Sequence, residues 1–300
     1  MKNKSIAIYL TAIGLILAAA IGWYIFAFQT QPEPVSFILF DGQRAYADVE
    51  TQVAFGPRIP GSDGHAKVQE WMRDELVKAG WQVKVQESEA MGHPIQNIVA
   101  KRGEGSPQII LGAHYDTRMF ADNDPDPANH SLPVPGANDG ASGVAVLLEV
   151  ARVLPEDSVP VWLVFFDAED NGSIDGWDWM LGSIEFVKNN PVQPRAVVIV
   201  DMIGDADLNI YKERNSNSDL INEIWGVAQN LELDTVFIPD YKYSMFDDHT
   251  PFLRAGIPAI VIIDFDYPYW HTIQDTPDKV SAGSLQAVGE TLQVWVMGQP

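Results

Sequence analysis

The sequence contains no cysteine, so disulfides, thiolate metal sites and a cysteine nucleophile are excluded. No glycine-rich loop ends in Gly-Lys-Ser/Thr, which removes the phosphate cradle of a P-loop nucleotidase. No Gly-x-Ser-x-Gly elbow occurs, which argues against a serine hydrolase. Basic residues are scarce: 19 Lys and Arg face 41 Asp and Glu, for a net charge of -22 and a pI near 4.4. Such a surface repels nucleic-acid phosphates and anionic lipid and favours cations, so nucleic acid is not an expected partner. Without thiolates, a cation must be held by His, Asp and Glu, a set that zinc accepts.

One long stretch lacks charge altogether. Lys2 and Lys4 precede residues 6–28, about 23 uncharged positions, enough to cross a bilayer as a helix. A secretory core runs ~7–15 residues to a small-x-small cleavage site, whereas this run continues through Trp23, Tyr24, Ile25 and Phe26. We expect residues 1–28 to be a retained transmembrane anchor, with a secreted form after signal cleavage as the alternative. The lysines stay cytoplasmic by the positive-inside tendency, which puts the rest of the chain outside the cytoplasm. Residues 29–34, QTQPEP, read as a linker.

From residue 35 to 300 the chain, 46% hydrophobic, can fill one α/β core, and no internal boundary demands a second domain. Residues 45–80 are helical in pattern, with Val68, Trp71, Met72, Leu76 and Val77 on one face. The Gly- and Pro-rich FGPRIPGSDGH at 55–65 interrupts them as a loop on the surface or near the site. Strands are expected at 82–87 (an edge), 97–101, 108–111, 159–166, 196–200, 208–211 and 258–263, and helices at 181–188, 220–231 and 285–297. Asn138-Asp139-Gly140 opens a further helix whose core face is Val144, Leu147, Leu148 and Ala151, so an N-cap is the ordinary role for Asp139. Asp122, Asp124 and Asp126 start like a calcium loop, but Pro127 and Pro133 stand where Gly and Glu are needed, leaving a solvated acidic loop. Alternating strands and helices predict a mixed, largely parallel sheet flanked by helices on both faces.

The stretch 161–170, VWLVFFDAED, reads as a buried parallel strand that ends in Asp167, Glu169 and Asp170. Adjacent acids there stay in solvent, take up protons or meet a cation. Six polar residues follow apolar strands or open helices: His114, Asp139, Glu169, Asp170, Asp201 and His271. Strand ends in such sheets converge on one crevice. Two histidines and four acids there make a cation site with one acid left over. His65, His93 and His130 are expected in loops and solvated. His249 is expected to make a structural hydrogen bond nearby, with Asp248 and Asp116 supporting the ligands from behind.

Taken in order, GAHYD (112–116), GANDGASG (136–143), Glu169-Asp170, VDMIG (201–204 follow Val200), DDHTPFL (247–253) and WHT (270–272) resemble the motifs of the M28 zinc aminopeptidases and their relatives the glutaminyl cyclases; GPRIPGS (56–62) and the terminal helix also match. The aminopeptidase pattern implies two zinc ions bridged by Asp139, one also on His114 and Asp201, the other on Asp170 and His271, with Glu169 as general base. The cyclase pattern implies one zinc on Asp139, Asp170 and His271, Glu169 as proton shuttle and Asp201 as its hydrogen-bonding partner. Asp170 departs from the Glu of the animal cyclases. The insert NGSIDGWDWM (171–180) and Trp270 before His271 resemble the cyclases, and GANDGASG is nearer the peptidase form. Trp270, with Trp177 or Trp179, would wall a small pocket for a peptide or protein N-terminus. The expected activity is cyclisation of N-terminal glutamine to pyroglutamate with loss of ammonia; the alternatives are an aminopeptidase and a catalytically inactive binding ectodomain.

Overall fold

The computed structural model describes residues 17–24 and 38–300, which fall in two units, 1–37 and 38–300. In the first unit residues 17–24 are helical; the rest of the expected anchor and the linker lie outside the described residues. Among the described residues no helix is long and apolar enough to cross a membrane.

The second unit is built on β1 (Gln82–Ala90), β2 (His93–Arg102), β3 (Ile109–His114), β4 (Val161–Phe166), β5 (Ala196–Asp201) and β8 (Ala259–Ile263), ordered β1-β2-β4-β3-β5-β8. β4, β3, β5 and β8 are parallel neighbours, and the β1–β2 hairpin adds antiparallel to β4. The mixed, largely parallel sheet expected from the sequence is therefore present. Its strands read as unbroken apolar runs because both faces are covered. Leu111, Leu163, Val198 and Ile260 enter one core, while Ile110, Val164, Ile199 and Val261 enter the other.

On the first face lie α1 (Gly42–Ala54), α2 (Asp63–Lys78), α3 (Ala141–Val153), α5 (Ser218–Asn230) and α7 (Ala282–Met297). Asp41, Ser62, Asn217 and Ser281 cap four of these helices by accepting from the first-turn N–H groups. The second face carries α4 (Leu181–Asn189) and the short α6 (His249–Arg254), which contribute Phe186 and Phe252.

The hairpin strands run longer than expected, because Met91 (φ 53°) and Gly92 (φ 84°) both take the left-handed region and close a two-residue turn between Ala90 and His93. A separate parallel pair, β6 (Ile210–Lys212) and β7 (Phe237–Tyr241), was half expected: β7 and α6 are too short and too polar to carry a periodic signal.

Candidate active site and metal centre

The expected polar residues come together at the carboxyl ends of the parallel strands. His114 ends β3, Asp201 ends β5, and Glu169 and Asp170 follow β4. Asp139 lies just before α3, and His271 lies in the loop after β8. Asp139 does not serve as the N-cap: Gly140 holds that position at φ 92°, with no side-chain cap bond, which frees the Asp139 carboxylate for the crevice. Ala168 (φ 52°), Met202 (φ 46°) and His271 (φ 57°) are non-glycine residues in the left-handed region, each beside or within the site. Such conformations cost about 1–3 kcal/mol each and persist where surrounding structure enforces them.

Two groups share Asp139. His114 Nε2 is 3.2 Å from Asp139 Oδ1 and 3.2 Å from Asp201 Oδ1. His271 Nε2 is 2.7 Å from Asp170 Oδ1 and 3.7 Å from Asp139 Oδ2. In each group the potential ligand atoms lie within 4.8 Å of one another. The chemistry of the donors fits zinc, which takes imidazole nitrogen and carboxylate oxygen. Buried Oδ2 atoms of Asp139 and Asp170 lack any hydrogen-bond partner, and an unbonded buried carboxylate oxygen is expensive unless a cation meets it.

The electrostatics follow from crowding. Burial tends to lower the His114 pKa, but Asp201, Asp116 and Asp139 push it well above its ordinary value. Burial tends to raise Asp139, yet His114, His271 and Arg58 hold it below the usual range. Asp170 is pushed up to about 6 by burial and by Asp139, against the pull of His271. Glu169 is raised well above the usual range by burial, with Asp248, Asp170 and Asp247 adding to it and His114 opposing. A buried carboxyl raised in this way is suited to take up a proton and return it.

The cluster is held from behind. Asp116 accepts from the Glu169 N–H (3.0 Å), the Asp170 N–H (3.2 Å) and the Asn171 side chain (3.2 Å), and its Oδ1 lies 3.5 Å from His114 Nδ1. It therefore fixes three site residues at once. Asp248 is buried and its pKa is raised to about 7 by burial, Ser183 and His114 opposing. His249 is buried 3.5 Å from Glu213, but neither of its ring nitrogens has a hydrogen-bond partner, so the expected structural hydrogen bond is not formed.

Three further supports were given no role from the sequence: Asp275 and His65 lie in none of the motifs, and Arg58 lies in GPRIPGS. Asp275 accepts from the Asn138 N–H (2.8 Å), the Asp139 N–H (3.1 Å) and the Tyr267 hydroxyl (2.7 Å). Arg58, within the loop expected at the surface or near the site, is fully buried and donates to the carbonyls of Tyr115, Pro135, Gly136 and Asp139. His65 is not a solvated loop residue: it lies in α2, 4% exposed, with Nε2 2.8 Å from Asp167 Oδ1 and its ring stacked on Tyr115. His93 begins β2, and His130 meets the Asp124 carbonyl at 2.8 Å. Only the spacing of these residues from the motifs could have flagged them.

A cavity of about 480 Å³ opens over the cluster, lined by Asp139, Glu169, Asp170 and Asp201 at its polar end and by Trp179 and Trp270 among its apolar residues. Trp179 lies parallel to the His271 ring, centroids 6.2 Å apart, and Trp270 packs against the same ring at 3.9 Å. Gly172 allows this, since a Cβ there would sit 2.1 Å from the Trp179 indole. Trp177 is a correction: it stacks on His93 at 3.7 Å, away from the residues that line the cavity.

Histidines and carboxylates gathered at the strand ends of such a sheet define a class, the mixed α/β proteins built to hold divalent cations there. The particular family follows from sequence. The model of peptidase family M28 matches residues 97–296, and the chain belongs to that family. In structure it is similar to the glutaminyl cyclase of Tannerella forsythia, with 35% identity, a TM-score of 0.83, and cover of 88% of this chain and 100% of that one. It is also similar to a Zn-dependent exopeptidase from Parabacteroides distasonis, with 31% identity, a TM-score of 0.83 and the same cover of 88% and 100%. Among characterised sequences, a glutaminyl-peptide cyclotransferase of Boiga irregularis is 24% identical over 292 residues, covering 80% of this chain and 77% of its own length. The family resemblance read from the motifs is borne out, as is an enzyme of this type.

Proposed function

We propose that this chain is a zinc-dependent glutaminyl-peptide cyclase, with one ion held by Asp139, Asp170 and His271. The observation that carries the reading is Glu169: a buried carboxyl of raised pKa beside the cluster, at the polar end of a cavity that Trp179 and Trp270 wall. A bound zinc would supply charge stabilisation at the side-chain carbonyl oxygen of the substrate glutamine. Glu169 takes a proton from the α-amine as its nitrogen forms a bond to the side-chain carbonyl carbon. The carbon–nitrogen bond of the side-chain amide breaks, and Glu169 returns the proton to the departing ammonia. Because amine and amide belong to one residue, the walls need only fold the side chain back on the amine and exclude water. Asp201, within reach of His114, would hold the charged partner of this exchange in place. Likeness to relatives that carry the cyclase name supports the same reading.

A second reading rests on the other group, His114 with Asp139 and Asp201. With an ion there as well, the pair of sites would suit two-metal aminopeptidase hydrolysis, in which Glu169 activates water. The deciding experiment measures zinc per full-length chain together with the products from a Gln-initiated dipeptide. One zinc, ammonia and an intact peptide bond support the cyclase; two zincs and free glutamine replace it with the aminopeptidase.

We further propose that residues 6–28 anchor the catalytic unit at the outer side of the cytoplasmic membrane. The uncharged run after Lys2 and Lys4 supports this. Protease added outside intact cells would degrade the catalytic unit; full protection would overturn the orientation.

A further inference from the structure

The cavity over the cluster is lined by six carboxylates, Asp139, Glu169, Asp170, Asp178, Asp201 and Asp247, and by a single cation, Arg254. A guanidinium among so many acids would be expected to pair with one of them. It does not: among the described residues no carboxylate lies within 4.0 Å of Arg254. Its contact is with the ring of Phe246, 5.8 Å from the guanidinium carbon, and Phe246 is itself 70% exposed at the same cavity. Arg254 closes the last turn of α6, in which His249, Thr250, Pro251 and Phe252 are buried. Arg254 stands out at the end of this buried helix, and Phe246, in the loop before it, stands beside it at the rim.

The charge layout gives the cavity a direction. The acids favour the α-ammonium of a peptide, which suits a substrate entering by its N-terminus. A carboxylate carried on the following residue would be repelled by the same acids unless something at the rim met it. Stacked on an aromatic face, a guanidinium keeps its in-plane N–H donors free for a carboxylate.

We infer that Arg254, shelved on Phe246, is a specificity-determining residue that binds a carboxylate on the residue following the substrate's N-terminal one. This rests on the cyclase reading for its substrate and extends it to the next position. The carboxylate has two sources, the side chain of an acidic second residue or the C-terminus of a dipeptide. An ion pair at a partly exposed rim is worth about fivefold in selectivity and weakens as salt is added.

The test compares kcat/KM for ammonia release from Gln-Glu amide, Gln-Lys amide, Gln-Ala amide and Gln-Ala with a free carboxylate, using the wild type, Arg254→Gln and Arg254→Lys. The wild type is expected to favour an acid over its partner by about fivefold at low salt. Preference for Gln-Glu amide over Gln-Lys amide assigns the side-chain source; preference for free Gln-Ala over its amide assigns the C-terminus. Arg254→Gln should erase the preference and its salt dependence, and Arg254→Lys should keep most of it. No preference in the wild type, or one that survives in Arg254→Gln, overturns the inference. Calorimetry of the same peptides on Glu169→Gln separates this from the chemistry: an Arg254-dependent preference in binding there, with no ammonia release by the wild type, would uphold the rim and remove only the cyclase.

Discussion

Arg58 offers the sharpest test of how the site is built. Its guanidinium is fully buried and donates to Tyr115 O (2.9 Å), Pro135 O (3.0 Å) and Gly136 O (2.5 Å), with a longer contact to Asp139 O (3.4 Å). Burial lowers its pKa to about 10, with Asp275, Asp116 and Asp139 opposing, so it remains charged at neutral pH. Arg58→Met fills much of the volume but leaves three well-aligned carbonyls without donors, at about 1–3 kcal/mol each. Against this stands the recovered desolvation of the guanidinium, so the net loss is ~3–5 kcal/mol, typical of removing one partner from a buried charged network. The site should suffer in a second way. Asp139 loses a cation that holds its pKa down, so its proton competes harder with metal and affinity falls most at low pH. Arg58→Lys, with a single ammonium that cannot span the three carbonyls, should lie between the two. Chemical denaturation of the metal-free chain and zinc competition against a chromogenic chelator read both effects. A loss under about 1 kcal/mol with unchanged zinc affinity would refute this account of Arg58.

Other predictions follow from the same layer of residues. Glu169→Gln should lower turnover by about 10²–10⁴-fold while zinc content stays at the wild-type level; substantial activity would remove Glu169 as the proton carrier. Asp275→Asn sets an amide N–H against one of three donors and should weaken zinc by about 10–100-fold through the Asp139 backbone, read by equilibrium dialysis; unchanged affinity would show that the Asp139 loop holds without it. Asp248 and Asp275 are raised to about 7 by burial, above the ordinary aspartate value of 3.8. A raised folded-state pKa means the folded chain binds protons more tightly, so this stability is present below about pH 4 and is lost as pH rises through about 7. The metal-free chain should therefore melt lower at pH 8 than at pH 6, with zinc restoring more at the higher pH; a melting temperature that rises from pH 6 to 8 without metal would contradict it.

The central strand and the six polar residues were legible because their signals are local. β4 is covered on both faces, so every residue from Val161 to Phe166 is apolar, and the acids stand out against it. What was not legible depends on partners distant in sequence. Asp139 looks like a cap until Gly140 is seen to take that position at φ 92°, which no local rule for aspartate anticipates. His65 looks like a loop residue because Gly61 and Gly64 surround it, yet Ser62 caps a helix there and Asp167, 102 positions away, meets its ring. Trp177 and Trp179 are indistinguishable in sequence; only the turns of the insert send one to His93 and the other over His271.

These hidden residues share a physical task. The site gathers His114, Asp139, Glu169, Asp170, Asp201, Asp247 and Asp248 in one buried region, where the acids raise one another's pKa values. Such a cluster tends to spread apart or to bind protons. Asp116 and Asp275 counter the first tendency by tying the backbones of Glu169, Asp170, Asn138 and Asp139 across separate loops, over 53 to 137 positions of sequence. Arg58 counters the second by bringing one buried positive charge behind them. The ligands can be read from the sequence because their chemistry demands certain residue types. Of their supports, Asp116 could be read because it stands in a motif beside His114, whereas Asp275 could not, because many residue types can donate or accept a hydrogen bond to a backbone. It is these supports that keep the donors close enough for a cation to find its site already formed.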